Sequence, residues 1–218
     1  MQQTKEICLM SIVMDIEQRS AEWIKCRIGI PTASCFDRII TPATGGPSAS
    51  AVAYRRELLA EWLTAQPVSV KESGWMQRGT EMEPEARAFY EFEADAEVTE
   101  AGFVFLDERR LIGCSPDGLV GDDGLIEIKC PSPGVHVSYL IDAKLPTAYI
   151  PQVQGCLWVT GREWCDFISY HPEMEPLIVR VCRDQSYIAK MATLVEAFIA
   201  MMLEERQILL LRGLGPKQ

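Results

Sequence analysis

Histidine is scarce in this chain: two in 218 residues, His136 and His171, neither near a second ligand at the spacing zinc sites use. A zinc centre is therefore not expected. Cysteine occurs eight times but never as a C-x-x-C pair, and Cys8, Cys130, Cys156 and Cys182 sit among apolar neighbours. That is the pattern of reduced, buried thiols and not of a disulfide framework. Also missing near the start is any long apolar run. Ile7 to Met14 is about eight residues with acidic flanks and no small-residue cleavage site, which argues against a signal peptide or a membrane span and for a cytoplasmic protein. Basic charge is in deficit too, with 21 Lys and Arg against 31 Asp and Glu and a net charge of −10. A protein that coats nucleic acid over its whole surface is excluded, because non-specific affinity comes from cations neutralising phosphates. A local basic channel stays compatible, and part of the acidic excess suits carboxylates whose charge divalent cations cancel. There is no internal repeat, low-complexity tract or long like-charge block, and the 48% hydrophobic content supplies a core for a single domain over residues 1–218.

The chain then reads as helices, strands, helices, strands and a last helix. Ser20 can cap a short helix through Trp23 and Ile24 that ends near Gly29, and Thr32 another with Phe36, Ile39 and Ile40 on its apolar face. Residues 41–50 form a loop by their Pro, Gly and Ser content. Tyr54, Leu58, Leu59 and Trp62 mark a longer helix that stops before Pro67, and residues 78–94 another, with Met82, Ala86, Phe89 and Tyr90 inward. From Val98 to Lys129 the texture changes to short β-rich runs separated by turn residues, which predicts a meander. Two helical stretches at 134–142 and 147–160, two strands and a long helix from Asp184 complete the order. The fold class expected is α/β (α+β-like), a central mixed β-sheet flanked by helices.

The segment GCSPDGLVGDDGLIEIKCP, Gly113 to Pro131, carries the chemistry. Strand side chains alternate, so Glu127 and Lys129 share a face roughly 7 Å apart, with Ile126 and Ile128 on the other. If the Pro116-Asp117-Gly118 turn lies beside them, Asp117 joins the cluster. Two carboxylates and the Ile128 carbonyl make a hard oxygen site suited to Mg2+ or Mn2+. A neighbouring ammonium can hold or deprotonate an attacking water and offset charge on a phosphoryl oxygen, so the chemistry implied is phosphodiester hydrolysis. A Pro-Asp-Gly turn and a Glu-Lys pair also suit an ordinary solvated face. Ile126, Ile128 and Cys130 make this strand an internal one.

The pattern resembles the PD-(D/E)xK nuclease superfamily, restriction-endonuclease-like in fold. More specifically, CSPDGL, IEIKCP, AYIPQVQGCLWVTG (148–161), EWIKCRIGIPTAS (22–34) and RGTEMEPEARAFYEFE (78–93) are similar to the phage lambda exonuclease type, the YqaJ viral recombinase family. The resemblance implies that Asp117, Glu127 and the Ile128 carbonyl bind metal, that Lys129 is the catalytic lysine, and that Glu83 is an additional acidic residue near a second metal, with Glu81 and Glu85 close by. It implies a pocket for a 5′-terminal phosphate built from Arg27, Ser34, Ser115 and Gln152; an Arg fork with hydroxyl and amide donors suits that anion. Gln154, roughly 200° round a helix from Gln152, serves packing or another surface. Trp75 and Met76 are a possible wedge between terminal bases, or core contacts.

The function so implied is a Mg2+-dependent 5′-to-3′ exonuclease, with Mn2+ a possible substitute and two metals per active site. It would digest one strand of linear double-stranded DNA and leave 3′ overhangs for recombination by single-strand annealing. A homotrimer, a single-strand annealing protein as partner and a phage or prophage origin in a bacterial host come from the same resemblance, while no membrane association is expected from the short apolar run near the start. Two alternatives stay open: an endonuclease of the superfamily, which needs no 5′-phosphate pocket, and a catalytically inactive DNA-binding or scaffold protein.

Overall fold

The computed structural model describes residues 11–68 and 74–216, with the backbone alone for 74–77. Its elements run β1 (Ile12–Met14), α1 (Ala21–Arg27), a 3-10 helix (Ala33–Arg38), α2 (Ala51–Thr64), α3 (Gly74–Ala94), β2 (Val98–Thr99), β3 (Phe103–Phe105), β4 (Gly113–Cys114), β5 (Gly118–Val120) and β6 (Gly124–Lys129). After these come α4 (Pro133–Asp142), a 3-10 turn (Thr147–Tyr149), α5 (Ile150–Thr160), β7 (Trp164–Ser169), β8 (Leu177–Cys182) and α6 (Gln185–Leu211). Ser20 caps α1, its hydroxyl accepting the Trp23 amide at 3.2 Å. Thr32 precedes a 3-10 helix instead of an α-helix and makes no side-chain cap.

The strands form two sheets, β1-β3-β4 and the mixed β2-β5-β6-β7-β8. The meander expected over 98–129 is therefore divided. β3 and β4 pair with β1, while β2, β5 and β6 belong to the larger sheet. Strands of two or three residues carry too little alternation to name their partners, and pairing is settled by non-local packing. β6 and β7 are parallel, in register from Gly124↔Trp164 to Lys129↔Ser169. Parallel neighbours need a crossover, supplied here by α4 and α5.

That arrangement buries β6 on both faces. Leu125 packs into the larger core with Phe36, Leu58, Val153, Leu157, Val195 and Phe198, and Ile126 and Ile128 pack with Ala86 and Tyr90 of α3. Glu127 shares Leu125's face and is only 2% exposed. Helix α6 starts on Asp184, whose carboxylate accepts the Tyr187 amide at 2.9 Å. With a mean hydropathy of 1.5 over its apolar window, it is the one helix among the described residues long and apolar enough to cross a membrane. Its stripe Ile188, Met191, Val195, Phe198 and Met202 instead fills the core against α2 and α5. Among the described residues the seven cysteines are free thiols.

Candidate active site

Asp117 lies between β4 and β5, immediately before β5 begins. Its amide donates to the Ile126 carbonyl at 3.2 Å and its Oδ2 accepts the Ile128 amide at 2.7 Å. The carboxylate thus takes the ladder position that β5 leaves vacant beside β6. Ile126 and Ile128 direct their backbone groups to the β5 side by strand alternation, so the Ile128 carbonyl faces the same edge as Asp117.

Glu127 Oε1 accepts from Lys129 Nζ at 2.6 Å and from Gln152 Nε2 on the first turn of α5. Its Oε2 is buried with no hydrogen-bond partner among the described residues. Burial, then the Glu127 charge, pushes Asp117 up to about 8, partly offset by Lys129 and the Ile128 amide. Burial opposes the Lys129 charge, yet Glu127 and Asp117 outweigh it and hold the ammonium protonated above its ordinary range. Nζ also lies 5.3 Å from the centre of the Tyr149 ring.

Arg27, at the end of α1, stacks 4.2 Å over Trp23. Among the described residues its guanidinium donates only to hydroxyls, those of Ser115 at 3.3 Å, Ser34 at 3.4 Å and Thr32 at 3.5 Å. No ion pair reaches it among the described residues, and burial lowers its pKa. Ser115 Oγ also accepts from Trp23 Nε1 at 2.8 Å. Both its lone pairs are then in use, which leaves its proton free to donate.

One cleft is lined by Arg27, Ser34, Ser115, Asp117, Glu127, Lys129 and Gln152, together with Gln18, Arg19, Trp23 and Cys156. Residues drawn from five separated sequence stretches therefore meet. Gln152 sits at the carboxylate end, bonded to Glu127. Gln154 faces away and is structural: it donates to the Cys182 carbonyl at 3.0 Å and accepts the Asp184 amide at 2.8 Å. Glu83 is close enough to Asp117 to raise its pKa, and its Oε2 accepts from Arg19 at 2.6 Å. Glu85 turns to the Tyr170 hydroxyl at 2.7 Å. The Trp75 and Met76 side chains lie outside the described residues. Sequence reasoning missed Gln18 and Arg19. Gln18 ties its turn to the Ala101 and Pro116 carbonyls at 2.8 and 2.9 Å.

Among the described residues no three His, Cys, Asp or Glu side chains converge as a ready-made metal cage. Two carboxylates, one with an orphaned buried oxygen and the other held far above its usual range, nonetheless fit a hard cation that keeps several waters.

Residues 22–163 match the YqaJ-like viral recombinase domain. The chain belongs to this family. The expected resemblance is thereby borne out, as is the mixed α/β architecture. The YqaJ-family chain is 39% identical to the alkaline exonuclease of Laribacter hongkongensis, with a TM-score of 0.81 over 89% of this chain and 98% of that one. The same enzyme in complex with dAMP matches equally well. A phage-related exonuclease of Haemophilus somnus is 17% identical with a TM-score of 0.61, covering 81% of this chain and 96% of that one, and shares the fold. An uncharacterized protein of Acanthamoeba polyphaga mimivirus is 27% identical over 170 residues, 72% of this chain; the match spans 30% of that protein's length.

Proposed function

We propose that this YqaJ-family protein is a metal-dependent DNA exonuclease that digests one strand of linear duplex DNA from its 5′ end, releases mononucleotides and leaves 3′ overhangs for single-strand annealing. The observation that carries the reading is one cleft holding both a buried two-carboxylate, one-lysine cluster and a guanidinium whose only hydrogen-bond partners among the described residues are hydroxyls. An uncompensated, desolvated Arg favours a divalent oxyanion such as a terminal phosphate. The alkaline exonuclease relative was solved in complex with dAMP, and a nucleotide ligand in that enzyme supports a nucleotide-binding reading for this chain.

Asp117, Glu127 and the Ile128 carbonyl would hold Mg2+, or Mn2+ in its place, with Glu83 beside a second ion. The bound cation supplies Lewis-acid activation of water and of the phosphoryl group. Lys129 keeps its proton at Nζ, next to Glu127 Oε1, and offsets negative charge gathering on the phosphoryl oxygens. Arg27, Ser34 and the free Ser115 proton anchor the end, which fixes the phosphodiester that reaches the carboxylates. Gln152 braces Glu127 from α5. A ring-shaped homotrimer would let an acidic chain retain DNA by enclosing it, and a single-strand annealing protein would take the product strand.

The test is hydrolysis of linear duplexes with 5′-phosphate or 5′-hydroxyl ends, beside a covalently closed circle. The wild type should need Mg2+ or Mn2+, prefer the phosphate end and spare the circle; Arg27→Ala should retain slow hydrolysis but lose most of that preference. Cleavage of the circle, or an unchanged preference in Arg27→Ala, would refute the reading.

A further inference from the structure

Arg19 stands out on three independent grounds. Its φ is +68°, in the left-handed region that glycine enters freely and other residues enter at a cost. The turn that imposes this angle is closed by the Ser20 amide donating to the Glu17 carbonyl at 3.2 Å. It is pinned on one side by Gln18 on the Pro116 carbonyl, next to Asp117, and on the other by Ser20 capping α1, which carries Arg27. The backbone that positions Arg19 is therefore fastened to both halves of the site. Its side chain lines the cleft and is 51% exposed, and its visible partner is Glu83.

An exposed ion pair of this kind contributes little to stability, so it does not account for a strained turn. Strain maintained at a site points to use of the side chain it aims. Glu83 stands between the two groups, accepting from Arg19 at 2.6 Å and lying close enough to Asp117 to raise its pKa. Any cation drawn to the carboxylates competes for Glu83, weakens its hold on Arg19 and leaves a guanidinium fork facing the substrate path.

We propose that Arg19 binds a backbone phosphate of the DNA strand, separate from the 5′-terminal phosphate at Arg27, and is held on Glu83 until cation and DNA arrive. The inference rests on the exonuclease reading and adds a second phosphate contact to it. Glu83 then has a second role as a competitor: it masks Arg19 when no cation is bound, which keeps the cleft from capturing DNA it cannot cut.

The experiment measures duplex affinity by fluorescence anisotropy in Ca2+, a cation chosen to permit binding without turnover, over a range of salt concentrations. Arg19→Gly removes the fork and also relieves the backbone, so its melting temperature should not fall. Affinity should drop about tenfold, and the slope of log K against log salt should become shallower by about 0.9, the value of one lost phosphate contact. Selectivity for 5′-phosphate over 5′-hydroxyl ends should stay at the wild-type ratio. Arg19→Lys should restore much of the slope but less of the affinity, because an ammonium keeps the charge without the fork. In EDTA, Glu83→Gln should tighten DNA binding in the wild-type background and much less in the Arg19→Gly background. An unchanged slope and affinity in Arg19→Gly, or an equal gain from Glu83→Gln in both backgrounds, would overturn the proposal while the exonuclease reading stands. Failure of the wild type to bind linear duplex in any divalent cation would overturn both.

Discussion

Asp117→Asn offers a test of the carboxylate pair that does not depend on catalysis. In the folded, metal-free protein the Asp117 carboxyl is pushed up to about 8 by burial and by Glu127, whereas in the unfolded chain it titrates near the ordinary 3.8. Below pH 4 both states carry the proton and the group has no effect on stability. Between about pH 4 and about pH 8 the unfolded chain releases that proton while the folded protein keeps it, so stability falls as pH rises; above about 8 the loss levels off. The upper limit is about 1.4 kcal/mol per pH unit. The cleft admits water, which screens the pair, so about half that slope is expected, or roughly 2–3 kcal/mol over the window. For a chain of this length that corresponds to roughly 5–10 °C in Tm.

The substitution keeps an oxygen for the Ile128 amide and removes the charge. Thermal unfolding in EDTA from pH 4 to pH 9 should show wild-type Tm declining relative to Asp117→Asn across that window. Millimolar Mg2+ should recover the wild type and leave the variant nearly unmoved. Parallel curves for the two proteins in EDTA would refute the argument that these carboxylates form a strained pair awaiting a cation.

Lys129→Ala should bind DNA and Mg2+ near wild-type levels while single-turnover hydrolysis slows by about 100-fold or more; wild-type cleavage would reduce Lys129 to a partner of Glu127. Gly155→Ala should lower stability by about 1–2 kcal/mol in urea unfolding, because the added methyl would lie 2.6 Å from the Phe36 ring and 3.0 Å from Ala33 Cβ, outweighing the better helix propensity of Ala. Light scattering at micromolar concentration should give the mass of a trimer, and a monomer would remove the ring while leaving the site chemistry intact.

The carboxylate and lysine cluster was legible because its parts are close in sequence. Glu127 and Lys129 are two residues apart on one strand, Asp117 is ten before Glu127, and alternation alone set two of them side by side. The burial of Glu127 was only half legible. Ile126 and Ile128 announced an internal strand, but Leu125 on the carboxylate's own face goes into the larger core, which only the packing of α5 and α6 reveals. The meeting of Arg27 with Ser115 was readable through family resemblance alone, since the two are 88 residues apart and nothing local links them. Gln18 and Arg19 escaped notice for the same reason: their partners Pro116 and Glu83 lie 98 and 64 residues away. The division of the strands into two sheets was hidden in segments too short to show a period.

The hydrogen bond from the Ile128 amide to Asp117 has a consequence for how this protein can change. A single carboxylate both ends the pairing of β5 with β6 and supplies half of the acidic pair, so the end of the strand and the carboxylate cluster are one coordinate. Extending β5 by a residue would fill the Ile128 amide with main chain and turn the carboxylate to the opposite face; shortening it would leave the amide bare. Drift in strand length, tolerated at most strand ends, is blocked here. Variation in descendants of this sequence should accumulate instead in the 121–123 turn at the far end of the hairpin, where a change in length leaves the register at Asp117 untouched.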